Sequence, residues 1–237
     1  MDGFYREDLA AIHAEGFGGL GAAAAQVVLD ALGDRAGTSR VLDLGCGAGA
    51  LAQPLSEAGV AVWGLDLSPD LLALARRRAP RAAFQEGSLH AAALPPADGI
   101  CAIGEVVNYL ADDRAGLEAL VAFLERAARA LSPGGMLLFD AAAPGRGASR
   151  SFTEGPGWAV GSINTETDGV LTRRITTFRQ GGAGGWRRAV ETHRLALYPQ
   201  DRVLEALAHA GFQAEVLPGY GPLVLPTGLP VYRATRG

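Results

Sequence analysis

Short apolar runs alternate with stretches of helical period through the first 140 residues, the pattern of β-α-β units around a parallel sheet. "RVLDLG" (40–45) and "AVWGLDL" (61–67) read as the first two strands, with a helix over about 49–58 between them. "SPDLLALARRR" then predicts a helix in which Ser68 suits the cap, Pro69 the first position and Asp70 the positive end of the helix dipole. Further strands fall near "AAFQEG" (82–87), in "GICAIG" (99–104) and in "GMLLFD" (135–140); the last follows a helix in "GLEALVAFLERAARAL" and the turn "SPGG".

Beyond Asp140 the texture changes. A glycine- and proline-rich loop leads into three segments with the period of antiparallel strands: Trp158 to Asn164, Val170 to Phe178 after the turn "TETDG", and Trp186 to Tyr198 after "GGAGG", whose composition predicts a flexible hairpin tip. The parallel pattern then resumes with a helix near Gln200 to Ala210 and strands at "FQAEVL" and "PVYRAT". No internal repeat is visible.

A chain of 237 residues with 49% apolar content supports one substantial domain. The net charge of −4, with arginine as the whole basic complement and no lysine, argues against nucleic-acid and anionic-membrane partners. Two cysteines, Cys46 and Cys101, exclude a disulfide framework and a cysteine-rich metal site, and they suit a reducing cytoplasm. "MDGFYRED" lacks the basic start and apolar stretch of a signal peptide, and no apolar run reaches the roughly 18 residues of a membrane span.

The candidate chemistry starts in "VLDLGCGAG". A glycine loop between strand and helix lets a ligand approach the backbone and the helix N-terminus. Its glycines, Gly45, Gly47 and Gly49, depart from the dinucleotide spacing, and Asp43 would repel a pyrophosphate but attract an ammonium group. Asp66, at the end of the second strand, is placed to accept from a ribose diol. A ligand with an amino end and a ribose but no bulky anion between them is needed, and S-adenosylmethionine fits.

In order and spacing, "VLDLGCGAG", "GLDLSPDLLALAR", "GICAIGEVVNYL" and "LSPGGMLLFD" resemble the successive motifs of class I S-adenosylmethionine-dependent methyltransferases, over roughly residues 38 to 140. The resemblance implies an α/β fold: a doubly wound, mostly parallel seven-stranded sheet with its last strand antiparallel, here carrying a small antiparallel insertion. It divides a single domain (1–237) into an N-terminal helical lid (1–35), a cofactor-binding core (36–140), an antiparallel substrate cover (141–198) and a final helix and strands (199–237). By the same resemblance Asp43, Gly45, Gly47 and Gly49 face the methionine half of the cofactor; Cys46, inside the same cofactor-binding loop, reads as a small space-filler. Asp66 meets the ribose, Leu67, Ser88 and Leu89 lie at the adenine, and Gly104 and Glu105 offer backbone to the methionine end. One departure stands out: the family often has Asp after the glycine to accept from the adenine amino group, and this chain has Gly87-Ser88.

Methyl transfer from a sulfonium is an in-line displacement, so the protein must supply alignment and a dry pocket, and a base when the nucleophile arrives protonated. Three places qualify. In "GEVVNYL", Asn108 and Tyr109 follow the fourth strand without the Asn/Asp-Pro-Pro-aromatic motif of nucleic-acid methylators; a helix cap and a packing residue are the competing readings. In "ETHRLALYP", strand alternation puts Glu191 and His193 on one face, where the carboxylate could orient the imidazole as a general base; an exposed, solvated pair is the competing reading. Arg174, with Arg173 and Arg194, could hold an acidic substrate group. Third, Tyr5, His13 and Phe17 suit a movable N-terminal cover. The expected acceptor is a small molecule with an oxygen or nitrogen nucleophile, the expected metal none, and the expected assembly a monomer or homodimer. A nicotinamide-dependent oxidoreductase is the competing enzyme class, weakened by Asp43 and the absence of any lysine; a noncatalytic S-adenosylmethionine-binding protein is the third reading.

Overall fold

The computed structural model describes residues 4–181 and 184–237, so the centre of the "GGAGG" tip lies outside the described residues. The first half runs α1 (Glu7–Gly16), α2 (Gly19–Leu32), β1 (Arg40–Leu44), α3 (Ala52–Glu57), β2 (Ala61–Asp66), α4 (Pro69–Arg78), β3 (Ala83–Glu86), β4 (Ala97–Ala102), α5 (Leu117–Ala130) and β5 (Leu131–Asp140). There follow β6 (Ser149–Gly155), β7 (Trp158–Thr167), β8 (Val170–Gln180), β9 (Trp186–Ala196), α6 (Gln200–His209), β10 (Phe212–Leu217), the short pair β11 (Gly219–Tyr220) and β12 (Leu223–Val224), and β13 (Val231–Arg236).

Seven strands form one sheet in the order β10-β13-β5-β4-β1-β2-β3, in which β13 alone runs antiparallel to its neighbours. Both faces are covered, which is why its central strands are apolar on successive residues rather than alternate ones. On one face Leu42, Leu44, Ile100, Leu137 and Phe139 pack with α5 and α6; on the other Val41, Cys101 and Leu138 pack with α2 and α3. Ser68 caps α4 as expected, its Oγ accepting from the Leu71 N–H at 3.2 Å. The "SPGG" turn is absorbed into β5, where Leu131 pairs with Ala97 before the register shifts.

The insertion is a four-stranded antiparallel sheet, β6-β7-β8-β9. Its first strand was not legible in the sequence, because Ser149–Gly155 is an edge strand whose only large apolar residue, Phe152, is exposed. Helix α1 wedges between this sheet and α4: Leu9 and Ile12 pack on Trp158, Val160 and Ile175, and Ala10 packs on Leu71. The N-terminal helices therefore join the two sheets over the carboxyl ends of β1 and β2.

Candidate active site

A cavity of about 1060 Å³, counted with the space at its open mouth, lies where the glycine loop, the α1–α2 elbow and the ends of β2, β3 and β4 converge. Gly45, Gly47 and Gly49 all take positive φ (+71°, +52° and +77°), a conformation that disfavours any Cβ. Asp43, Cys46, Leu67, Ser88, Leu89 and Gly104 line the same cavity, as do Tyr5, His13, Phe17 and Tyr109.

Two carboxylates sit at its floor. Asp43 is 2% exposed, and its Oδ2 has no hydrogen-bond partner among the described residues; burial, with help from Asp66, pushes its pKa up to about 7. Asp66 is also raised by burial, but it accepts the Gly47 and Ser68 N–H groups, each at 2.8 Å. Each Asp66 oxygen thus keeps one lone pair for a ligand. An orphaned buried acid beside a glycine cradle, with a second acid one strand away, fits the amino and ribose groups of an adenosyl sulfonium.

In the fourth-strand loop the Gly104 and Glu105 N–H groups donate to Asp140 at 2.7 and 2.5 Å, so these two donors are taken. Asp140 also accepts from the Tyr220 hydroxyl at 2.6 Å. Glu105 holds a left-handed φ of +61°, and its side chain pairs with Arg146 and, at 2.8 Å, with Arg173. Asn108 is fully buried and wholly engaged: its amide donates to the Ala142 and Ala196 carbonyls and accepts the Ala142 N–H at 3.0, 2.6 and 2.9 Å. It pins β5 and β9 to the β4 loop and has nothing left for a substrate. Replacing Asn108 by Ala strands these backbone groups and is expected to lower stability by about 2 kcal/mol in denaturant unfolding, with no change in the unfolding slope.

Strand alternation decides the arginines. Arg173 faces inward, reaching Glu105 and the Tyr109 hydroxyl, whereas Arg174 lies on the exposed outer face of the insertion sheet and is removed from the site. His13, stacked on Phe17 with ring centroids 5.7 Å apart, is pushed down to about pKa 4 by burial and by Arg78, so it stays neutral.

Glu191 and His193 are both buried, not a solvated pair. His193 Nε2 lies 3.1 Å from Glu191 Oε2, and its Nδ1 has no partner among the described residues. The pair stands behind the cavity wall rather than in it: the His193 ring contacts Phe4, Tyr5 and Tyr109, with centroids 4.6, 5.0 and 5.7 Å away. Glu191 also accepts the Tyr5 and Arg6 N–H groups at 2.9 and 3.1 Å, while the Ser68 hydroxyl donates to the Tyr5 carbonyl at 2.9 Å. A strap at Tyr5, itself at a positive φ of 49°, is therefore tied both to the insertion sheet and to α4. Burial and Tyr109 push the Tyr5 hydroxyl far up, and burial raises Tyr109, so neither phenol is a base near neutrality. Phe4, His90 and Asp112 also line the cavity, though no sequence motif pointed to them.

A family model described as a methyltransferase domain matches residues 41–135. A dTDP-3-amino-3,6-dideoxy-α-D-glucopyranose N,N-dimethyltransferase of Streptomyces fradiae is 30% identical over 200 residues, covering 80% of this chain and 76% of that protein. Among solved structures, the amino pentose methyltransferase CalS10 of Micromonospora echinaspora, with S-adenosylmethionine bound, superposes with a TM-score of 0.76 at 23% identity, over 100% of this chain and 99% of that one. The sugar N-methyltransferase KedS8 of a Streptoalloteichus species does so with a TM-score of 0.76 at 24% identity, over 100% and 96%. The structural likenesses carry the fold and the sequence likeness carries the kinship: the chain belongs to the class I S-adenosylmethionine-dependent methyltransferases and methylates a small-molecule acceptor.

Proposed function

We propose that the chain transfers a methyl group to the amino nitrogen of a sugar carried on a nucleoside diphosphate. The observation that carries this reading is the His193 ring, held by Glu191 on one nitrogen and bare on the other, buried behind the tyrosines of the cavity wall. If Nε2–H donates to the carboxylate, Nδ1 keeps a lone pair that can take the proton of an alkylammonium acceptor once the Tyr5 strap shifts and opens the wall between them. The Streptomyces fradiae relative supports the sugar amine by its name. Arg146 and Arg173, which both pair with Glu105 and of which Arg173 also reaches the Tyr109 hydroxyl, offer guanidinium groups of the kind that meet a diphosphate.

In this reading Asp43 holds the cofactor's ammonium, directly or through water, Asp66 the ribose, and Leu67, Ser88 and Leu89 the adenine, with Gly45, Cys46, Gly47 and Gly49 giving the close approach. Bound S-adenosylmethionine supplies an electrophilic methyl on positively charged sulfur. Tyr5, Phe17 and the N-terminal helices α1 and α2 exclude water from the core (36–140), and the insertion (141–198) covers the acceptor. Tyr109 positions the acceptor through its hydroxyl. The chain works in the cytoplasm as a monomer or homodimer with neither nucleic acid nor membrane as partner; among the described residues no single helix is long and apolar enough to cross a membrane.

Asp43 gives a signed pH dependence. Between the ordinary carboxylate pKa of 3.8 and about 7 the ligand-free native state binds more protons than the unfolded chain, so stability falls as pH rises through that window. Cofactor affinity moves the other way, rising up to about pH 7 as the carboxylate ionises and levelling above it. Asp43→Asn removes this group's share of both trends and leaves the share of Asp66 and Asp140, which burial also raises; calorimetry and thermal melts from about pH 5 to 8 check the difference.

The acceptor is tested by incubating the protein with methyl-labelled cofactor and a panel of nucleoside-diphosphate amino sugars and their hydroxy counterparts. Label on the amine supports the reading. Label only on hydroxyl or carboxyl acceptors, or none on any amino sugar, overturns it.

A further inference from the structure

The family's usual carboxylate for the adenine amino group is missing after Gly87, yet the cavity is not without an acid at that end. Asp112, in the loop between β4 and α5, lines the cavity beside Ser88 and His90. Its side chain is 8% exposed. Oδ1 accepts both the backbone N–H and the Nε–H of Arg114, at 3.0 and 2.9 Å, while Oδ2 is buried and has no hydrogen-bond partner among the described residues. A local turn, in which the Ala115 N–H donates to the Asp112 carbonyl at 2.9 Å, fixes the backbone at this point. Burial opposes ionisation, but the Arg114 hydrogen bonds, with a smaller pull from the Ser88 hydroxyl, outweigh it and bring the pKa down to about 2. The acid is therefore a carboxylate at working pH, an acceptor with no proton to give.

A buried carboxylate oxygen without a donor is costly unless something else supplies one. The Ser88 hydroxyl, whose oxygen accepts the His90 N–H at 3.1 Å, lies near this carboxylate and keeps a proton of its own, but it makes no hydrogen bond of normal geometry to Oδ2. We propose that Asp112 Oδ2 is the acceptor that recognises the exocyclic amino group of the cofactor's adenine, replacing from a different loop the acid that Gly87-Ser88 lacks. This rests on the placement of adenine against Leu67, Ser88 and Leu89 given above. The exchange is physically reasonable because the contact needs only an oriented lone pair at one end of the cavity, and any loop that reaches it will serve.

The role predicts a preference that a merely structural aspartate would not produce. An amino group donates to Oδ2, whereas the 6-oxo group of hypoxanthine turns an acceptor toward an acceptor. The wild-type protein is expected to bind S-adenosylhomocysteine about 100-fold more tightly than S-inosylhomocysteine in titration calorimetry. In Asp112→Asn, whose amide can rotate a donor toward the oxo group, the ratio is expected to collapse to within about fivefold. The ligand-free melting temperature reports whether the variant is folded. Binding of the two nucleosides within about threefold by the wild type, or an unchanged ratio in a folded Asp112→Asn, overturns the proposal and assigns the free oxygen to a buried water. Asp66→Ala separates this failure from that of the cavity reading: loss of both ligands in parallel keeps adenosyl binding here while Asp112 is dismissed, and no loss of either dismisses the cavity.

Discussion

His193→Gln is expected to lower kcat by roughly two to four orders of magnitude at saturating cofactor and acceptor, the range that one positioned general base contributes. His193 is 4% exposed and its ring is boxed by Phe4, Tyr5 and Tyr109, so a glutamine of similar length leaves the packing nearly intact. Cofactor affinity should stay within about twofold, because His193 does not line the cavity that the cofactor would fill. Glu191→Gln should show a smaller loss, about 10- to 100-fold, with a raised acceptor KM, since one amide oxygen cannot accept from Tyr5, Arg6 and His193 together. A folded His193→Gln protein that turns over within about tenfold of wild type removes the base from this position.

The second large effect falls on the glycine loop. Gly45→Ala places a Cβ 2.6 Å from Val106 Cγ2 at a φ of +71°, so steric overlap adds to backbone strain. Val106 cannot retreat, because it follows Glu105, whose left-handed backbone is held by Asp140 and whose side chain is held by two arginines. Strain and overpacking of about 1–3 kcal/mol each sum to about 4 kcal/mol, which for a chain of this size lowers the melting temperature by about 8–16 °C. Gly47→Ala is the control: its φ is +52°, but nothing lies within 4 Å of the added methyl, so stability should drop by only about 1 kcal/mol. Gly47 lines the cavity, and in the proposed mode of binding the added methyl takes space from the cofactor, so affinity should fall even though the fold survives. Equal melting temperatures for the two variants would refute the steric account of Gly45.

The comparison of these two glycines shows where the sequence stops. That a strand, a three-glycine loop and a helix follow one another at 40–57 is local information, carried by apolar period and by residues that tolerate positive φ. The cap at Ser68 and the two acids at successive strand ends are equally local. Which glycine is crowded is not, because Val106 arrives from a loop about sixty residues away.

The same division explains the site residues. Period two placed Glu191 and His193 on one face, and the fold turns that face inward; but only β8's pairing with β9, which sets Arg173 opposite His193, sends Arg173 in and Arg174 out. Asn108 looked like a substrate contact because it stands in the right loop, yet the carbonyls that claim its amide belong to residues 142 and 196. Gly104 and Glu105 stand where backbone contacts were expected, and only the fold shows that Asp140 claims their N–H groups. By itself the chain's order of apolar runs, glycines and acids determined the doubly wound sheet and the end of it where a ligand lies, since helical and strand periods and turn chemistry act over a few residues. Tertiary structure alone decided which polar groups remain free, because a hydrogen bond is satisfied or orphaned by partners that only folding brings within 3 Å.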